Sequence, residues 1–521
     1  MKRRKFLRNT TAALIGLPAA LNGMSLSPIR KSALLDALNP DSDRVLVLIQ
    51  MIGGNDGLNM IIPLDYYDKL YNVRQNVIIP ESNLEHFDHD LAFHPSMKGI
   101  RTMFDDAKLN VIQGVGYPNQ NRSHFRSTDI WTSGSPADED WSTGWLGRYL
   151  NEDHAEFPVN YPNNDFPDPL AVVIGNSISL TCQGEVGNYS LPLTDPFNLG
   201  QLASGGDDFV PDNLYGDQLD FVRTTIEQTN AYSERITEIA NQGTNTVSYP
   251  DTGLAQQLKT IALLLAGGTK TRIFVASIGG FDTHANQVQS GDPMLGEHTE
   301  LLTNLSGAIS AFQKDLEGLG IDDRVVGMTF SEFGRRIKSN NSDGTDHGSA
   351  APLMVFGKCV VPGVIGDNAE IPDEVGTQDG VAMQFDFRDI YGSVLEDWFE
   401  VDKEIVKDLL HADYTRINFL NPCLDPIPTD TDNPLEEALQ VNLFPNPAHH
   451  YVNVHFESER ERVAVTLFNA EGRLMETFMD KNLQAGRHEM RFDISRYPSG
   501  NYFIRVVCSG LRQTSRVFAK F

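Results

Sequence analysis

Five polar loops adjoin apolar runs that are typical of buried strands, and this arrangement constrains the fold more than any other feature of the chain. Each loop places Asp, Glu, His or Ser directly beside such a run. In chain order the loops are Gly53–Gly57 after Arg44–Gln50, Asn121–His124 after Asn110–Val115, Gly279–His284 after Ile273–Ile278, Ser331–Arg335 after Val325–Phe330, and Asp346–Gly348 before Leu353–Phe356. Because ligands bind beyond the carboxyl ends of strands in open α/β sheets, we expect one composite polar site.

Between roughly residues 40 and 424, these strand-like runs alternate with helical stretches. The clearest predicted helices are Gly253–Ala266, His298–Leu316 and Ile390–Phe399. In the second of them apolar residues recur at helical spacing, so one face packs against the rest of the domain. Repetition of strand, loop and helix predicts an α/β domain with a largely parallel sheet sandwiched by helices.

The overall composition restricts the classes of molecule that the protein can bind. With 42 basic and 70 acidic residues among 521, the formal charge is −28. Such an acidic chain lacks the cationic surface that a nucleic acid requires, so we expect no nucleic-acid partner. The four cysteines, Cys182, Cys359, Cys423 and Cys508, include no C-x-x-C pair, which excludes a zinc ribbon. One or two disulfides and buried free thiols both remain open.

The N-terminus has the pattern of an export signal. Basic residues occupy much of Lys2–Arg8, with adjacent arginines before Phe6, and the mildly apolar stretch Thr10–Leu21 follows. This pattern resembles the twin-arginine signal, which implies the twin-arginine export machinery as a partner. We therefore assign residues 1–33 to a signal peptide and leader. The apolar stretch is too short for a stable membrane span.

The C-terminus changes character after a linker rich in proline and acidic residues, which we place at residues 425–440. Alternating polar and apolar residues then predict short strands over residues 441–521, and hence a small all-β sandwich. The predicted strands are Tyr451–Phe456, Val463–Asn469, Glu489–Asp493 and Tyr502–Val507.

The amino-acid sequence of this segment resembles a known sorting signal. Leu443–Ala448, Leu467–Arg473 and Gly500–Ile504 are similar to the type A C-terminal sorting domain of the type IX secretion system. The resemblance implies type IX machinery as a further partner. It also implies passage through the periplasm to the cell surface or the medium.

The central motifs resemble one family. They are Leu91–Pro95, Gln113–Asn119, Asn121–Ser127, Gly280–His284, Ser331–Arg335 and Asp346–Gly348. In this order they are similar to the domain of unknown function numbered 1501, a group of exported proteins related to sulfatases. More distantly, the layout resembles the alkaline phosphatase superfamily.

This resemblance implies a set of site residues. Asp56 would be the metal ligand after the first strand, Ser123 the nucleophile, Asp282 and His284 a ligand pair, Glu332 a replacement for an Asp, and His347 the last imidazole. The implied cofactor is a divalent metal, with zinc, calcium and manganese all open. The sequence spacing between these residues differs from the spacing in the superfamily. At least one histidine expected in the superfamily's metal site is missing, unless His94, His124 or His298 replaces it.

Other interpretations compete for several of these residues. Ser123 is also typical of a helix N-cap. Arg122 would bind the anionic group of a substrate. Glu332 would serve as metal ligand, as general base, or as ion-pair partner of Arg335. Asp56 lies in an Asn-Asp-Gly sequence that favours a tight turn for backbone reasons alone.

Two classes of function follow. In the first, the protein is a metal-dependent hydrolase that acts on a phosphate or sulfate ester, either a small molecule or a glycan. In the second, it is a secreted or cell-surface binding protein without catalytic activity, built on a degenerate hydrolase scaffold. Because one fold hosts many functions, ancestry alone does not choose between them.

Overall fold

The computed structural model describes residues 43–88, 90–200, 214–421, 423, 441–445, 448–458, 462–469, 474–508 and 512–520. The chain divides into two compact units, Met1–Asp425 and Pro426–Phe521. The predicted signal and leader at residues 1–33 and the whole predicted linker, residues 425–440, lie outside the described residues.

The first unit alternates strands with helices, as the sequence predicts. Its strands are β1 (Val45–Ile52), β2 (Ile61–Pro63), β3 (Glu85–Asp88), β4 (Leu91–Phe93), β5 (Leu109–Gly116), β6 (Ala171–Ile174), β7 (Ser190–Leu193), β8 (Ile273–Gly279), β9 (Val325–Phe330), β10 (Arg335–Ser339), β11 (Thr345–His347), β12 (Ala351–Phe356), β13 (Gly363–Ile365) and β14 (Phe385–Asp386). Its helices are α1 (Gly57–Met60), α2 (Tyr67–Arg74), α3 (Lys98–Asp105), α4 (His124–Ser133), α5 (Trp145–Asp153), α6 (Leu214–Gln242), α7 (Gly253–Ala266), α8 (Glu297–Leu319), α9 (Phe387–Ser393) and α10 (Lys403–Leu410).

A large mixed sheet organises this unit. Its strand order is β13-β5-β12-β9-β1-β8-β6-β7, with β14 also paired to β5. The strand pairs are parallel except that β12 runs antiparallel to both β5 and β9. Because β12 is reversed, it starts at the edge of the sheet where the parallel strands end. The loop before β12 therefore reaches the same edge as the loops after β1, β5, β8 and β9.

Helices cover both faces of the sheet. Side chains of β1 alternate between the faces, since successive residues of a strand point in opposite directions. Val47 and Ile49 belong to one buried cluster, together with residues of α7 and α8. Leu46 and Leu48 belong to the other, together with residues of α4, α5, α9 and α10. The expected α/β fold, with a largely parallel sheet between helical layers, is thereby confirmed.

Two further features of the first unit concern cysteines and membranes. Cys359 and Cys423 form a disulfide, and Cys182 is a buried free thiol. None of the helices in the described parts of the chain is both long and apolar enough to cross a membrane.

The second unit is all β. Strands β15 (Val441–Phe444), β16 (Tyr451–Ser458) and β19 (Gly486–Asp493) form one antiparallel sheet. A second antiparallel sheet contains β17 (Arg462–Asn469), β18 (Leu474–Asn482), β20 (Gly500–Cys508) and β21 (Arg512–Lys520). Val454 from the first sheet and Val465 and Ile504 from the second share one buried cluster. The predicted sandwich is therefore present.

Candidate metal centre

Three imidazoles surround one carboxylate oxygen at the edge where the parallel strands end. The Oδ1 atom of Asp282 lies 3.1 Å from His347 Nε2, 3.2 Å from His284 Nε2 and 3.4 Å from His124 Nε2. The Nε2 atoms of His284 and His347 are 2.8 Å apart. Among the described residues, His124, Asp282 and His347 form a group whose ligand atoms all lie within 4.8 Å of one another.

Three different parts of the chain supply these four side chains. Asp282 and His284 follow β8, His347 ends β11, and His124 is the first residue of α4. The loop after β1 packs tightly beneath them. Gly53 has a φ of +123°, and a Cβ placed there would come within 2.3 Å of the Asp282 backbone nitrogen. Only glycine fits so close to the aspartate, so this close approach fixes Asp282 against β1.

Each ring is oriented by an acceptor on its far side. His124 Nδ1 lies 2.8 Å from Glu332 Oε1, and His284 Nδ1 lies 2.9 Å from Asp346 Oδ1. His347 Nδ1 lies 2.8 Å from the backbone oxygen of Arg122.

This pattern of contacts assigns the protons. A carboxylate or carbonyl oxygen accepts and does not donate, so in the neutral form of each ring Nδ1 carries the hydrogen and Nε2 presents a lone pair. The Nε2 of His124 is buried and has no hydrogen-bond partner in the described part of the chain. Three lone pairs and a carboxylate oxygen thus face a common space, which is the arrangement that histidine ligands adopt around a metal.

Arg335 connects the loops beneath the site. Its buried guanidinium donates to the backbone oxygens of Gly53, Gly54, Phe281 and Thr345. It also donates to Asp282 Oδ1 at 2.8 Å. Partial burial alone would raise the pKa of Asp282, but the hydrogen bond from Arg335 and its positive charge lower this pKa to about 2. The carboxyl group is therefore ionised at neutral pH.

Asp56 has a different role from the one that the resemblance implies. It is 1% exposed, and its oxygens accept from Arg74 Nη1 at 3.0 and 3.2 Å and from Gln287 Nε2 at 2.7 Å. Burial tends to raise the pKa of Asp56, but Arg74, His298 and Gln287 outweigh it and lower this pKa. Asp56 is thus the anion of a buried ion pair with α2, and its carboxylate lies outside the histidine cluster.

Glu332 and Arg122 contact the histidines of the cluster through the Nδ1 atoms, on the side away from Asp282. Glu332 is fully buried, and its Oε1 accepts from both His124 and the Gly53 backbone N–H at 2.8 Å. It therefore orients His124. The side chain of Arg122 donates to Gln378, and it is the backbone oxygen of Arg122 that contacts His347.

Ser123 occupies the N-cap position of α4, next to His124. Its hydroxyl makes no capping hydrogen bond within the described structure, and the side chain is exposed. Ser123 is therefore the N-cap residue by position, but its hydroxyl does not cap the helix. The first backbone N–H groups of α4 also lack intrahelical acceptors, because the helix begins here.

Of the five residues predicted as metal ligands, Asp282, His284 and His347 come together. His124 was only one of three candidates for the missing imidazole, and the structure brings it to the cluster. The other two candidates, His94 and His298, are buried elsewhere, where His298 Nε2 lies 3.1 Å from Asn55 Oδ1. The signal for His124 was its place at a helix start beside Ser123.

Two family models match parts of the chain. The model of the family described as protein of unknown function (DUF1501) matches residues 217–410. This segment contributes Asp282, His284 and His347, whereas His124 and Ser123 precede it. Residues 442–520 match the secretion system C-terminal sorting domain, which indicates export to the cell surface or secretion. No curated protein matches the chain.

Solved structures give only loose similarity. A Bacteroides thetaiotaomicron structure from work on glycosaminoglycan metabolism is 10% identical, with a TM-score of 0.35 over 87% of this chain and 90% of that one. A protein in the alkaline phosphatase superfamily from Vibrio parahaemolyticus is 9% identical, with a TM-score of 0.30 over 84% and 83% of the two chains.

A third match is shorter. PorZ, a surface component of the type IX secretion system of Porphyromonas gingivalis, is 17% identical with a TM-score of 0.12 over 16% of this chain, which spans 11% of PorZ.

Proposed function

We propose that the protein is an exported metal-dependent hydrolase of phosphate or sulfate esters, with one divalent cation held by His124, Asp282, His284 and His347. The observation that supports it is the convergence of three Nε2 atoms on Asp282 Oδ1 at 3.1–3.4 Å. Zinc–nitrogen bonds of about 2.0–2.1 Å in a tetrahedron place ligand atoms about 3.3 Å apart. The observed spacings are close to that value.

The donor set favours zinc over the other metals. Imidazole nitrogens suit zinc, whereas calcium and magnesium are bound through oxygen atoms alone. The three orienting acceptors, Glu332, Asp346 and the Arg122 carbonyl, complete the outer layer that fixes histidine ligands in metal sites. A bound divalent cation supplies Lewis-acid polarisation of a phosphoryl or sulfuryl oxygen.

Ser123 is the candidate nucleophile. It precedes the ligand His124, and its hydroxyl is exposed without a capping hydrogen bond among the described residues. The N-terminal N–H groups of α4 and their positive dipole favour an anionic group at this position. Ser123 and α4 would thus place an ester next to the histidine cluster.

A specific observation favours the second candidate function, a binding protein without catalytic activity. Asp56, the acid that the superfamily layout places on a metal, is neutralised by Arg74. A scaffold that loses one metal ligand to an ion pair is reduced to a single-metal centre.

Two measurements on the full chain distinguish the candidates. We expect about one zinc per chain by elemental analysis, lost in Asp282→Ala and kept in Ser123→Ala and in the control His86→Ala. We expect hydrolysis of 4-nitrophenyl phosphate or 4-nitrophenyl sulfate that both Asp282→Ala and Ser123→Ala abolish. Stoichiometric zinc without hydrolysis of either ester would support the binding protein, and no zinc after loading would reject the metal-dependent hydrolase and also leave the binding protein.

A further inference from the structure

A cavity of about 350 Å³ lies at the opposite edge of the sheet from the metal centre. Its lining includes Val45, Leu170, Arg272 and Arg324, which stand at or just before the starts of β1, β6, β8 and β9. Strand β1 has eight residues, so about 26 Å separates the two edges along it. The cavity is therefore independent of the site described above, and its volume is within the range of small-molecule pockets, about 300–1,000 Å³.

Charge is distributed unevenly across this cavity. The side chains of Arg324 and Arg272 are only 18% and 26% exposed, whereas their acidic neighbours Asp43 and Asp153 are 69% and 45% exposed. The ion pairs are long, at 3.7 Å for Arg324–Asp43 and 3.9 Å for Arg272–Asp153. The inner wall thus carries two arginines, neither of them tightly paired with its carboxylate, and the rim is acidic. The wall also includes the buried Asp168, whose carboxylate is held by Arg235 at 2.7 Å.

An aromatic surface adjoins these charges. Phe166 is 41% exposed, and its ring centroid lies 4.6 Å from that of His154. Burial, together with the nearby Arg272, lowers the pKa of His154 to about 4, so this imidazole is neutral at physiological pH. The half-exposed ring of Phe166 offers an apolar face against which a ligand ring can pack.

We propose that this cavity binds an acidic hexose, with its acid group on Arg272 and Arg324 and its ring on Phe166. Arginine guanidinium groups bind carboxylates with two parallel hydrogen bonds. The carboxylates of Asp43 and Asp153 at the rim accept hydrogen bonds from sugar hydroxyls. A polyhydroxylated ring with one acid group satisfies the two arginines, the aromatic face and the acidic rim together, whereas a neutral sugar leaves the arginines with only their distant carboxylates.

Isothermal titration of the full chain tests this proposal with three probes. D-glucuronate carries the ring, the hydroxyls and the acid, D-glucose lacks the acid, and benzoate lacks the hydroxyls. We expect one glucuronate per chain, with binding of glucose and of benzoate at least tenfold weaker. Absence of glucuronate binding, or equal affinity for either of the other probes, would overturn the proposal.

Paired variants locate the binding. Phe166→Ala and Arg324→Gln should each weaken glucuronate binding at least fivefold. The controls Phe197→Ala and Arg416→Gln alter an exposed phenylalanine and an arginine outside the lining, and should bind as the unaltered chain does. Thermal unfolding and zinc content show whether each variant is folded. Folded Phe166→Ala and Arg324→Gln proteins with unchanged affinity would place any glucuronate elsewhere on the molecule and overturn the proposal.

Discussion

The Nε2 atoms of His284 and His347 lie 2.8 Å apart, although the Nδ1 atom of each ring already faces an acceptor. Two lone pairs at this distance repel one another unless a cation or a shared proton lies between them. Asp282 Oδ1 stands 3.1–3.2 Å from both nitrogens and adds negative charge to the same space. This geometry supports the proposed metal site, in which the two imidazoles would be ligands of one metal ion.

Glu332 should control metal affinity without binding the metal. Because it holds His124 Nδ1 at 2.8 Å, Glu332→Ala should weaken zinc binding about 10- to 100-fold, the usual effect of losing a residue that orients a ligand. Glu332→Gln keeps an accepting oxygen and should have a smaller effect. Competition with a chelator of known affinity measures both.

The matched control for this prediction is Glu317→Ala. Glu317 pairs with Lys108 on the side of α8, away from the histidines. Its zinc affinity should equal that of the unaltered chain. If Glu332→Ala also bound zinc normally while remaining folded, the proposed role of Glu332 would be wrong.

The ion pair between Asp56 and Arg74 should be important for stability. Both side chains are 0% exposed, and Arg74 also donates to the backbone oxygens of Ile337 and Arg336. Arg74→Met leaves a buried carboxylate without its cation, so the free energy of unfolding should fall by about 3–5 kcal/mol. Denaturation by urea measures this loss.

Two further variants show whether the charge is the cause. Lys69→Ala removes an exposed pair from the same helix, α2, and should change stability by less than about 1 kcal/mol. Arg74→Met combined with Asp56→Leu removes both charges and should be less destabilising than Arg74→Met alone. A double variant as unstable as the sum of the two single ones would show that the charges act independently.

Buried histidines should make the folded state sensitive to mild acid. Burial lowers the pKa of His94 to about 3 and that of His298 to about 4, from an ordinary value near 6.5. The unfolded chain then binds protons that the folded chain excludes. The stabilisation is fully present above pH 6.5, and it is lost at about 1.4 kcal/mol per pH unit for each such histidine as the pH falls toward the folded value.

The variant His94→Asn tests this pH dependence. His94 Nδ1 accepts from the Ser96 N–H, and an asparagine oxygen can accept the same bond without titrating. Urea denaturation between pH 7 and pH 5 should show a shallower pH slope for the variant than for the unaltered chain. Identical slopes would mean that His94 does not contribute.

The sequence predicts the positions of the strands better than it predicts which side chains contact the acidic residues. Apolar runs placed β1, β5, β8 and β9 within two residues of their observed ends, because a buried strand needs a continuous apolar stretch. The reversed direction of β12 was not predicted, since an apolar run carries no information about direction. The resemblance nonetheless implied that the loop before β12 lies beside the loops after the other strands, because it assigns residues of all these loops to one site.

The roles of individual acids depend on contacts across long stretches of sequence. Asp56 and Glu332 have the side-chain chemistry of metal ligands, but one meets Arg74 from α2 and the other meets His124. Nothing in the local pattern distinguishes an acid that binds a metal from one that orients a histidine or neutralises a buried arginine. The residue pairs, and with them the ligand set, required the folded structure.

The disulfide between Cys359 and Cys423 should stabilise the first unit by restricting its unfolded state. It closes a loop with a sequence separation of 64 residues, for which chain entropy predicts about 4 kcal/mol. Cys423→Ser should therefore lower the unfolding free energy by about that amount. Reductant should destabilise the unaltered chain to a similar extent and should leave Cys423→Ser unchanged. A chain whose unfolding does not respond to reductant, although thiol titration shows the bond broken, would contradict this prediction.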